Sequence, residues 1–339
     1  MHGQRLTLQR KSMKVRNRRI LATLLFMTIP FTMSGCAKQQ SESNQKQTDK
    51  TGIETTELQM EEKEPDYSKC YADSDYNVPT DFDAKRTDVV YGTVQSHLTY
   101  DSQVAGKAKE YSIILPPNYS DTEKYPVIYA LHGFGGQPGD WEFANTIYSN
   151  MVADGLAAPA LFVIPEMWTD SKSFAESNEY EQRASYDRIA EDMKVSLMPY
   201  IESHYPVLTG KDHTGIIGLS QGETESLATG FLLQDRIGFI ASLAPCPGVI
   251  PTEYYKDTFW NIPIMDDFTI NTPDTMPHYI LLTVGSEDPW DIECTQYYDQ
   301  VMTQESIPHQ YYMLDGGDHD YMTWAHSLYN FVRRSFPAE

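Results

Sequence analysis

The stretch Gly215-Ile216-Ile217-Gly218-Leu219-Ser220-Gln221-Gly222 decides the fold of this chain. It begins with an apolar, β-branched run that is typical of a buried strand. The five residues from Gly218 to Gly222 then match the G-x-S-x-G turn, which leads from a strand into a helix and exposes a serine above the sheet. The flanking glycines fit this interpretation because so tight a turn leaves no room for a Cβ. Such a pentapeptide also recurs by chance, so a plain Ser/Gly loop remains an alternative on this pattern alone.

Other short apolar runs resemble buried strands, and longer helical or loop stretches separate them. They are Val127 to Leu131, Ala160 to Ile164, Phe239 to Leu243, Tyr279 to Val284 and His309 to Leu314. Two earlier segments, Val89 to Leu98 and Glu110 to Leu115, alternate loosely and predict antiparallel strands. The clearest helical face precedes Pro206 and consists of Ile189, Met193, Leu197, Tyr200 and Ile201. The pattern predicts an α/β fold in one domain, residues 88–339, with a mainly parallel sheet covered by helices on both faces.

In sheets of this kind ligands collect at the carboxyl ends of the strands, so the residues that follow each strand matter most. The turn His132-Gly133-Phe134-Gly135-Gly136 follows one strand and can present a backbone N–H to a developing oxyanion. Gly285-Ser286-Glu287-Asp288 follows another strand, and Asp315-Gly316-Gly317-Asp318-His319-Asp320 follows the last. A serine, a carboxylate and a histidine thus occur in the chain order of the α/β-hydrolases, which is far more specific than the pentapeptide.

Residues 88 to 336 resemble the esterase D-like family of esterases, which includes the feruloyl and acetylxylan esterases of carbohydrate esterase family 1. The resemblance is carried by Tyr125-Pro126-Val127, Leu131-His132-Gly133, Gly218-Leu219-Ser220, Gly285 to Asp288, Gly316-Gly317, His319-Asp320 and Trp324. It implies the α/β-hydrolase fold, with Ser220 as nucleophile, His319 as general base and Asp288 as the acid that orients the base. It also implies an oxyanion hole made by the backbone N–H groups of Phe134 and Gln221, and no metal or organic cofactor.

One departure from the family pattern concerns the pocket beside the serine. The family usually has Ser-Met-Gly-Gly where this chain has Ser220-Gln221-Gly222-Glu223. Gln221 keeps its backbone N–H, so the oxyanion hole is retained. The carboxylate of Glu223 suits the start of a helix, but it would repel an oxyanion if it turned inward, and we expect it to face away.

Other residues compete for each role. Glu287 and Asp291 are alternatives to Asp288 as the acid, whereas His309 and His326 are interpreted as structural. His132 is expected to hold the glycine-rich turn through hydrogen bonds. The cluster of Asp315, Asp318, His319 and Asp320 offers oxygen and imidazole ligands, but it lacks regular ligand spacing, so no metal site is predicted.

Three tryptophans, Trp141, Trp168 and Trp290, each lie a few residues beyond a strand's carboxyl end. We expect them on the rim of the site, because flat amphipathic rings suit sugar or phenolic faces. For Trp324, packing inside the last helix is the preferred interpretation. The long connection 246–277, which contains Trp260, is expected to include an insertion that faces the substrate.

The N-terminus has the features of an export signal. Seven Lys or Arg residues precede an apolar run, Ile20 to Met33, that is short for a membrane span. Met33-Ser34-Gly35-Cys36 then resembles a bacterial lipobox, in which the cysteine becomes the lipidated first residue; an ordinary cleaved signal is the alternative. Residues 1–36 are therefore predicted to be a lipoprotein signal peptide, and residues 37–87 a polar tether with an N-terminal extension whose packing the sequence leaves open.

Charge narrows the possible partners. Beyond residue 36 the chain has 19 basic and 48 acidic residues, a net charge of −29. Such a surface repels nucleic acid and anionic lipid headgroups, so membrane contact is expected only through a lipid on Cys36. Cys246 and Cys294 follow strands that end on the same face, and a disulfide between them stays open.

These observations predict an exported serine carboxylic-ester hydrolase, acting on feruloyl or acetyl groups of xylan-type polysaccharide. A serine hydroxyl needs an imidazole to take its proton and a carboxylate to orient that imidazole, and the predicted residues supply both. An acyltransferase or peptidase on the same fold is one alternative. A surface-binding lipoprotein without catalytic activity, suggested by Glu223 alone, is the other.

Overall fold

A computed structural model describes residues 66–338, and these contain one eight-stranded sheet. The strands are β1 Thr93–Ser102, β2 Lys107–Leu115, β3 Val127–Leu131, β4 Leu161–Pro165, β5 Thr214–Leu219, β6 Phe239–Leu243, β7 Tyr279–Gly285 and β8 Gln310–Leu314. Their order across the sheet is β1-β2-β4-β3-β5-β6-β7-β8. Strand β2 is antiparallel to β1 and β4, and the remaining neighbours are parallel. The predicted α/β class with a mainly parallel sheet is confirmed.

Helices cover both faces of the sheet because the strands are apolar on both faces. The α-helices are α1 Ser68–Ala72, α2 Ala144–Ala153, α3 Glu179–Asp187, α4 Ile189–Asp192, α5 Met198–His204, α6 Gln221–Leu232, α7 Ile292–Gln304 and α8 Tyr321–Ser335. In β3, Val127, Tyr129 and Leu131 belong to the core under α4 to α7, whereas Ile128 and Ala130 belong to the core under α2 and α8. Short 3₁₀ helices are Pro138–Trp141, Phe174–Glu176, Lys211–His213, Phe259–Asn261 and Pro273–Thr275.

The sequence pattern missed two local features. Strand β1 begins at Thr93, four residues after the predicted start. The predicted continuous helix before Pro206 is interrupted by a π-helical turn, Met193–Leu197. Pro199 explains this interruption, since it cannot donate a hydrogen bond to the carbonyl of Val195 and its ring crowds that carbonyl. Gln103 Nε2 donates to the freed carbonyl oxygen at 2.8 Å.

Residues 66–87 pack against the sheet and helix α8, which settles the question that the sequence left open for this segment. Cys70 and Phe82 are buried in the core. The Tyr71 hydroxyl accepts a hydrogen bond from the Ile280 amide and donates to the carbonyl of Pro308. The ring of Tyr76 stacks on Tyr312, with centroids 4.2 Å apart. No helix in residues 66–338 has the length and apolar character that a membrane crossing requires.

The strand order places a crevice at the carboxyl end of the sheet. After β3 the chain continues to β4 on one side, while β5 lies on the other side of β3. This reversal of strand order is where open α/β sheets bind ligands. The turn after β3 and the serine after β5 meet at this point.

Candidate active site

Ser220 lies at a sharp turn between β5 and α6, with φ 54° and ψ −128°. A non-glycine residue with positive φ is strained, and such strain is common at functional sites. A Cβ on Gly218 would collide with the backbone of Gly222, and a Cβ on Gly222 would collide with the carbonyl groups of Leu131 and His132. Both glycines of the motif are therefore required by close backbone packing.

The side chains of Ser220, His319 and Asp288 form a hydrogen-bonded chain. The distance from His319 Nε2 to Ser220 Oγ is 3.1 Å, and that from His319 Nδ1 to Asp288 Oδ2 is 2.9 Å. The other oxygen of Asp288 accepts hydrogen bonds from the amides of Trp290 and Asp291, at 2.9 and 3.1 Å. Three residues that follow three different strands thus meet within hydrogen-bonding reach, as the predicted chain order requires.

The electrostatics favour a base at His319. Burial alone would raise the pKa of Asp288, but hydrogen bonds from His319 and from backbone amides hold it below its ordinary value. Burial lowers the pKa of His319, but the Asp288 hydrogen bond and the charges of Asp288 and Asp291 outweigh burial and raise it. An imidazole of raised basicity beside a serine hydroxyl is able to take the proton of that hydroxyl.

A second carboxyl, Asp291, approaches the same imidazole, with Oδ2 3.4 Å from His319 Nδ1. Burial and the neighbouring charge of Asp288 raise the pKa of Asp291 to about 7. Asp288 has the shorter contact with His319, so the arrangement favours it as the orienting acid. Glu287, the other alternative, is exposed to solvent.

Two of the other histidines, His309 and His132, have structural partners. His309 Nε2 is 2.9 Å from Asp299 Oδ1. His132 Nδ1 donates to the carbonyl oxygen of Gly133 at 2.8 Å, and its Nε2 accepts from the Met167 amide at 3.1 Å. His132 therefore holds the turn after β3, the role expected from the sequence.

Side-chain atoms of the kind that can bind a metal ion also lie close together around His319. Within residues 66–338, the one set of three or more such side chains whose ligand atoms lie within 4.8 Å of one another is Asp288, Asp291 and His319. Of the acidic residues in the Asp315 to Asp320 cluster, Asp318 accepts from the His319 amide and Asp320 caps helix α8. Those carboxylates therefore serve the backbone of the loop.

The predicted oxyanion donors lie on the two segments that flank Ser220. Gln221 is the first residue of α6, and the first N–H groups of a helix have no acceptor within it. Phe134 follows Gly133, at which a Cβ would lie 3.1 Å from Ser220 Cβ. The turn after β3 thus passes directly beside the serine.

A pocket of about 310 Å³ opens beside these groups. Its lining consists of Ser220, Gln221, Cys246, Pro247, Tyr255, Trp260, Trp290, Asp291 and His319. Four of these residues come from the connection 246–277, so this segment forms a wall of the pocket. The Tyr255 hydroxyl donates to the carbonyl oxygen of Trp290 at 3.1 Å, which joins that wall to the loop after β7.

The three predicted rim tryptophans have different positions. Trp290 lines the pocket and is 57% exposed. The prediction for Trp141 is wrong: its ring is fully buried, and Nε1 donates to the carbonyl oxygen of Leu131. The prediction for Trp168 is also wrong for this pocket, because Trp168 packs on Phe174 and borders a separate hollow. Trp141 also stacks on Phe143, and Trp168 Nε1 donates to the carbonyl oxygen of Lys172, so both indoles are held by contacts away from the pocket.

Trp290 and Trp324 contact the imidazole of His319 edge to face, with centroids 5.2 and 5.5 Å away. Trp324 thus packs within the structure, as expected, but it packs against the proposed base. Cys246 and Cys294 are free thiols, so no disulfide joins them. Cys246 faces the pocket, whereas Cys294 lies buried on α7 beside Tyr298.

Two pocket features escaped sequence reasoning. Tyr255 and Cys246 line the pocket although no motif marks them, and only their position in the long connection gave a signal. Glu223 does not line the pocket. Its side chain instead folds back and accepts a hydrogen bond from the Ser220 amide.

The fold and the hydrogen-bonded serine, histidine and aspartate define an α/β-hydrolase. A family model described as "Putative esterase" matches residues 102–335. The chain belongs to this family and is a serine esterase.

A comparison with known proteins agrees with this family assignment. The chain is 26% identical over 202 residues to an endo-1,4-beta-xylanase/feruloyl esterase of Xylanibacter ruminicola, covering 56% of this chain and 27% of that protein. The chain therefore spans about a quarter of the length of this curated relative.

Solved structures extend the comparison. A CE1 ferulic acid esterase of Anaeromyces mucronatus, in complex with ferulic acid, superposes with a TM-score of 0.70 and 27% identity, covering 76% of this chain and 96% of that chain. An S-formylglutathione hydrolase of Agrobacterium tumefaciens has a TM-score of 0.53 and 15% identity, with 76% and 99% covered. The second likeness shows the fold alone.

Proposed function

We propose that this protein is an exported carbohydrate esterase that releases feruloyl or acetyl groups from xylan-type polysaccharide through a Ser220-His319-Asp288 acyl-enzyme mechanism. The single observation that carries the proposal is the hydrogen-bonded chain from Ser220 Oγ to Asp288 at the edge of an aromatic pocket. A nucleophile, a base and an acyl-sized cavity are the parts that ester hydrolysis needs.

In the proposed mechanism, Ser220 Oγ attacks the ester carbonyl carbon while His319 Nε2 takes the hydroxyl proton. The backbone N–H groups of Phe134 and Gln221 donate to the oxyanion of the tetrahedral intermediate. His319 then gives its proton to the leaving alcohol oxygen, and the acyl group stays on Ser220. A water molecule, deprotonated by His319, hydrolyses this acyl-enzyme and regenerates the serine.

Pocket chemistry supports a planar acyl group. Tyr255, Trp260 and Trp290 contribute aromatic surface, and aromatic faces pack well on a flat phenolic ring. The relatives that share more than a quarter of their aligned residues with this chain are described as feruloyl or ferulic acid esterases. A feruloyl group fits both observations better than a long aliphatic chain.

The test is hydrolysis by the full chain of methyl ferulate, p-nitrophenyl acetate and feruloylated arabinoxylan, with Ser220→Ala as control. We expect ferulate release from the ester and the polysaccharide, and a loss of about 10⁴-fold or more in kcat for Ser220→Ala. Hydrolysis of p-nitrophenyl acetate without ferulate release would contradict the feruloyl assignment. Unchanged activity of Ser220→Ala would contradict the mechanism.

The location is a separate part of the proposal. Cys36 and the signal-like segment before it lie outside the described residues, so their sequence pattern alone supports export and lipid anchoring at the outer face of the membrane. Metabolic labelling with a tagged fatty acid tests this. We expect label and membrane association in the wild type and neither in Cys36→Ala; a secreted, unlabelled wild type would contradict the anchor.

A further inference from the structure

Glu223 has an unusual position directly behind the serine. It is the third residue of α6, and its Oε1 accepts the N–H of Ser220, the residue that caps this helix. The hydroxyls of Ser226 and Ser242 donate to its backbone carbonyl at 3.0 and 2.9 Å. Glu223 is therefore fixed at both its backbone and its side chain, and its carboxyl holds the backbone amide of the proposed nucleophile.

No cation is paired with this carboxyl among the described contacts. Glu223 is fully buried, and its Oε2 has no hydrogen-bond partner in the described part of the chain. The indole N–H of Trp324, on α8, lies beside the carboxyl but outside regular hydrogen-bond geometry. The ionisable groups that face the carboxyl from other elements are Asp288 and Asp291 after β7 and the Cys246 thiol after β6.

Burial and the neighbouring carboxyls disfavour a charge on Glu223, and they outweigh the N–H groups of Ser220 and Trp324, which lower its pKa. Burial raises the pKa of Glu223 well above its ordinary value, and the charges of Asp291 and Asp288 raise it further. The neutral acid avoids both problems and still accepts the Ser220 amide.

We propose that Glu223 is a positioning residue whose buried carboxyl, by accepting the backbone N–H of Ser220, holds the serine in its positive-φ conformation and keeps its hydroxyl aligned with His319. The inference rests on the proposed role of Ser220 as nucleophile. A non-glycine residue with positive φ is strained, so a hydrogen bond to its amide keeps the serine in place.

The test compares Glu223→Gln with Glu223→Met, using p-nitrophenyl acetate hydrolysis and thermal unfolding of each full-length variant. Gln keeps an acceptor for the Ser220 amide and has no charge, whereas Met has similar volume and no acceptor. We expect Glu223→Met to lose about 10–100-fold in kcat with little change in KM. We expect Glu223→Gln to restore most of that loss, because its side-chain carbonyl oxygen can still accept the Ser220 amide.

Glu225→Gln is the matched control, since Glu225 is also buried on α6 but is paired with Arg183. It should lower the unfolding temperature and leave kcat within a few-fold of the wild type. Equal losses in Glu223→Gln and Glu223→Met, wild-type kcat in Glu223→Met, or a loss of kcat in Glu225→Gln as large as that in Glu223→Met would each overturn the inference.

A second readout separates this inference from the proposed function. A fluorophosphonate reacts with an activated serine whatever the natural ester is, so its rate of labelling at Ser220 reports nucleophile positioning directly. Slow labelling of Glu223→Met and faster labelling of Glu223→Gln would support the inference even if no feruloyl ester were hydrolysed. Equal labelling of both variants and the wild type, or no labelling of wild-type Ser220, would overturn it.

Discussion

Two groups of buried charges lie on opposite sides of helix α6, and they are built differently. In the paired cluster, Arg183 contacts the carboxylates of Glu225 and Asp187, with Nη1 2.7 Å from Glu225 Oε1. In the acid cluster, defined as Glu223, Asp288 and Asp291, two carboxyls face the imidazole of His319, and Glu223 has no ion-pair partner among residues 66–338. The paired cluster places a buried arginine beside its carboxylates, whereas the acid cluster has one imidazole beside two of its three carboxyls.

The paired cluster has a structural role, whereas the acid cluster acts on the proposed base. Arg183 also reaches the carbonyl oxygen of Gly248, at 3.4 Å, so the paired cluster links α3 and α6 to the connection that forms the pocket wall. Buried charges that serve only structure need a partner, because an unpaired one is costly. At the active site the charges of Asp288 and Asp291 instead raise the pKa of His319 and thereby favour proton transfer from Ser220.

The largest effect is expected from Asp288→Asn, which breaks the shorter contact of the acid cluster with His319. An amide at this place can stabilise the wrong imidazole tautomer, a change that costs about 10⁴-fold in kcat in the serine protease example of the same triad. Steady-state hydrolysis of p-nitrophenyl acetate measures it. A similar loss in Asp291→Asn and a small loss in Asp288→Asn would reverse the assignment of the acid.

Arg183→Met breaks the paired cluster and is expected to act on stability. It leaves Glu225 buried without its cation, which typically costs about 3–5 kcal/mol of unfolding free energy. Urea unfolding of the variant measures the loss, and adding Glu225→Gln should recover part of it. A change below about 1 kcal/mol in Arg183→Met would show that the pair contributes little, as exposed pairs do.

The acid cluster also predicts how stability depends on pH. Glu223 and Asp291 have raised pKa values in the folded state, about 7 for Asp291. From about pH 4, where unfolded carboxyls ionise, the folded state keeps protons that the unfolded state has lost, so these groups lower stability as pH rises toward 7. The double variant Glu223→Gln, Asp291→Asn should therefore lose less unfolding free energy between pH 4 and 7 than the wild type. An identical slope in both proteins would contradict the shifts.

Asp291→Asn should have the smallest effect on rate. The charge of Asp291 contributes to the raised pKa of His319, so its removal lowers that pKa and moves the ascending limb of the pH profile to lower pH. The kcat at the optimum is expected to stay within a few-fold of wild type. A limb that moves to higher pH would show that Asp291 does not act on His319 through its charge.

Much of the fold could be predicted from local pattern. Val127–Leu131 and Phe239–Leu243 were predicted with their observed bounds, because short apolar runs with turn residues on either side are typical of buried parallel strands. The convergence of residues 220, 288 and 319 followed from their places after three parallel strands, β5, β7 and β8. This prediction rested on the rule that ligand sites lie at the carboxyl ends of parallel strands, and that rule requires no knowledge of side-chain packing.

Other features depended on contacts that a sequence does not display. Trp141 and Trp290 occupy similar places after a strand, yet the first is fully buried and the second is 57% exposed. The carboxyl of Glu223 was expected to face away from the oxyanion, but its hydrogen bond to Ser220 depends on the turn geometry. Asp291 competes with Asp288 for His319 only because the loop after β7 brings both carboxyls to one nitrogen.

The central claim is that Ser220 and His319 act as one unit, and a comparison of Ser220→Ala, His319→Ala and the double variant tests it most directly. Residues that act together are strongly non-additive in their effect on kcat. We predict that each single change lowers kcat for p-nitrophenyl acetate by about 10⁴-fold or more and that the double variant is no slower than either single variant. Independent effects that multiply in the double variant, or substantial turnover in Ser220→Ala, would contradict the account.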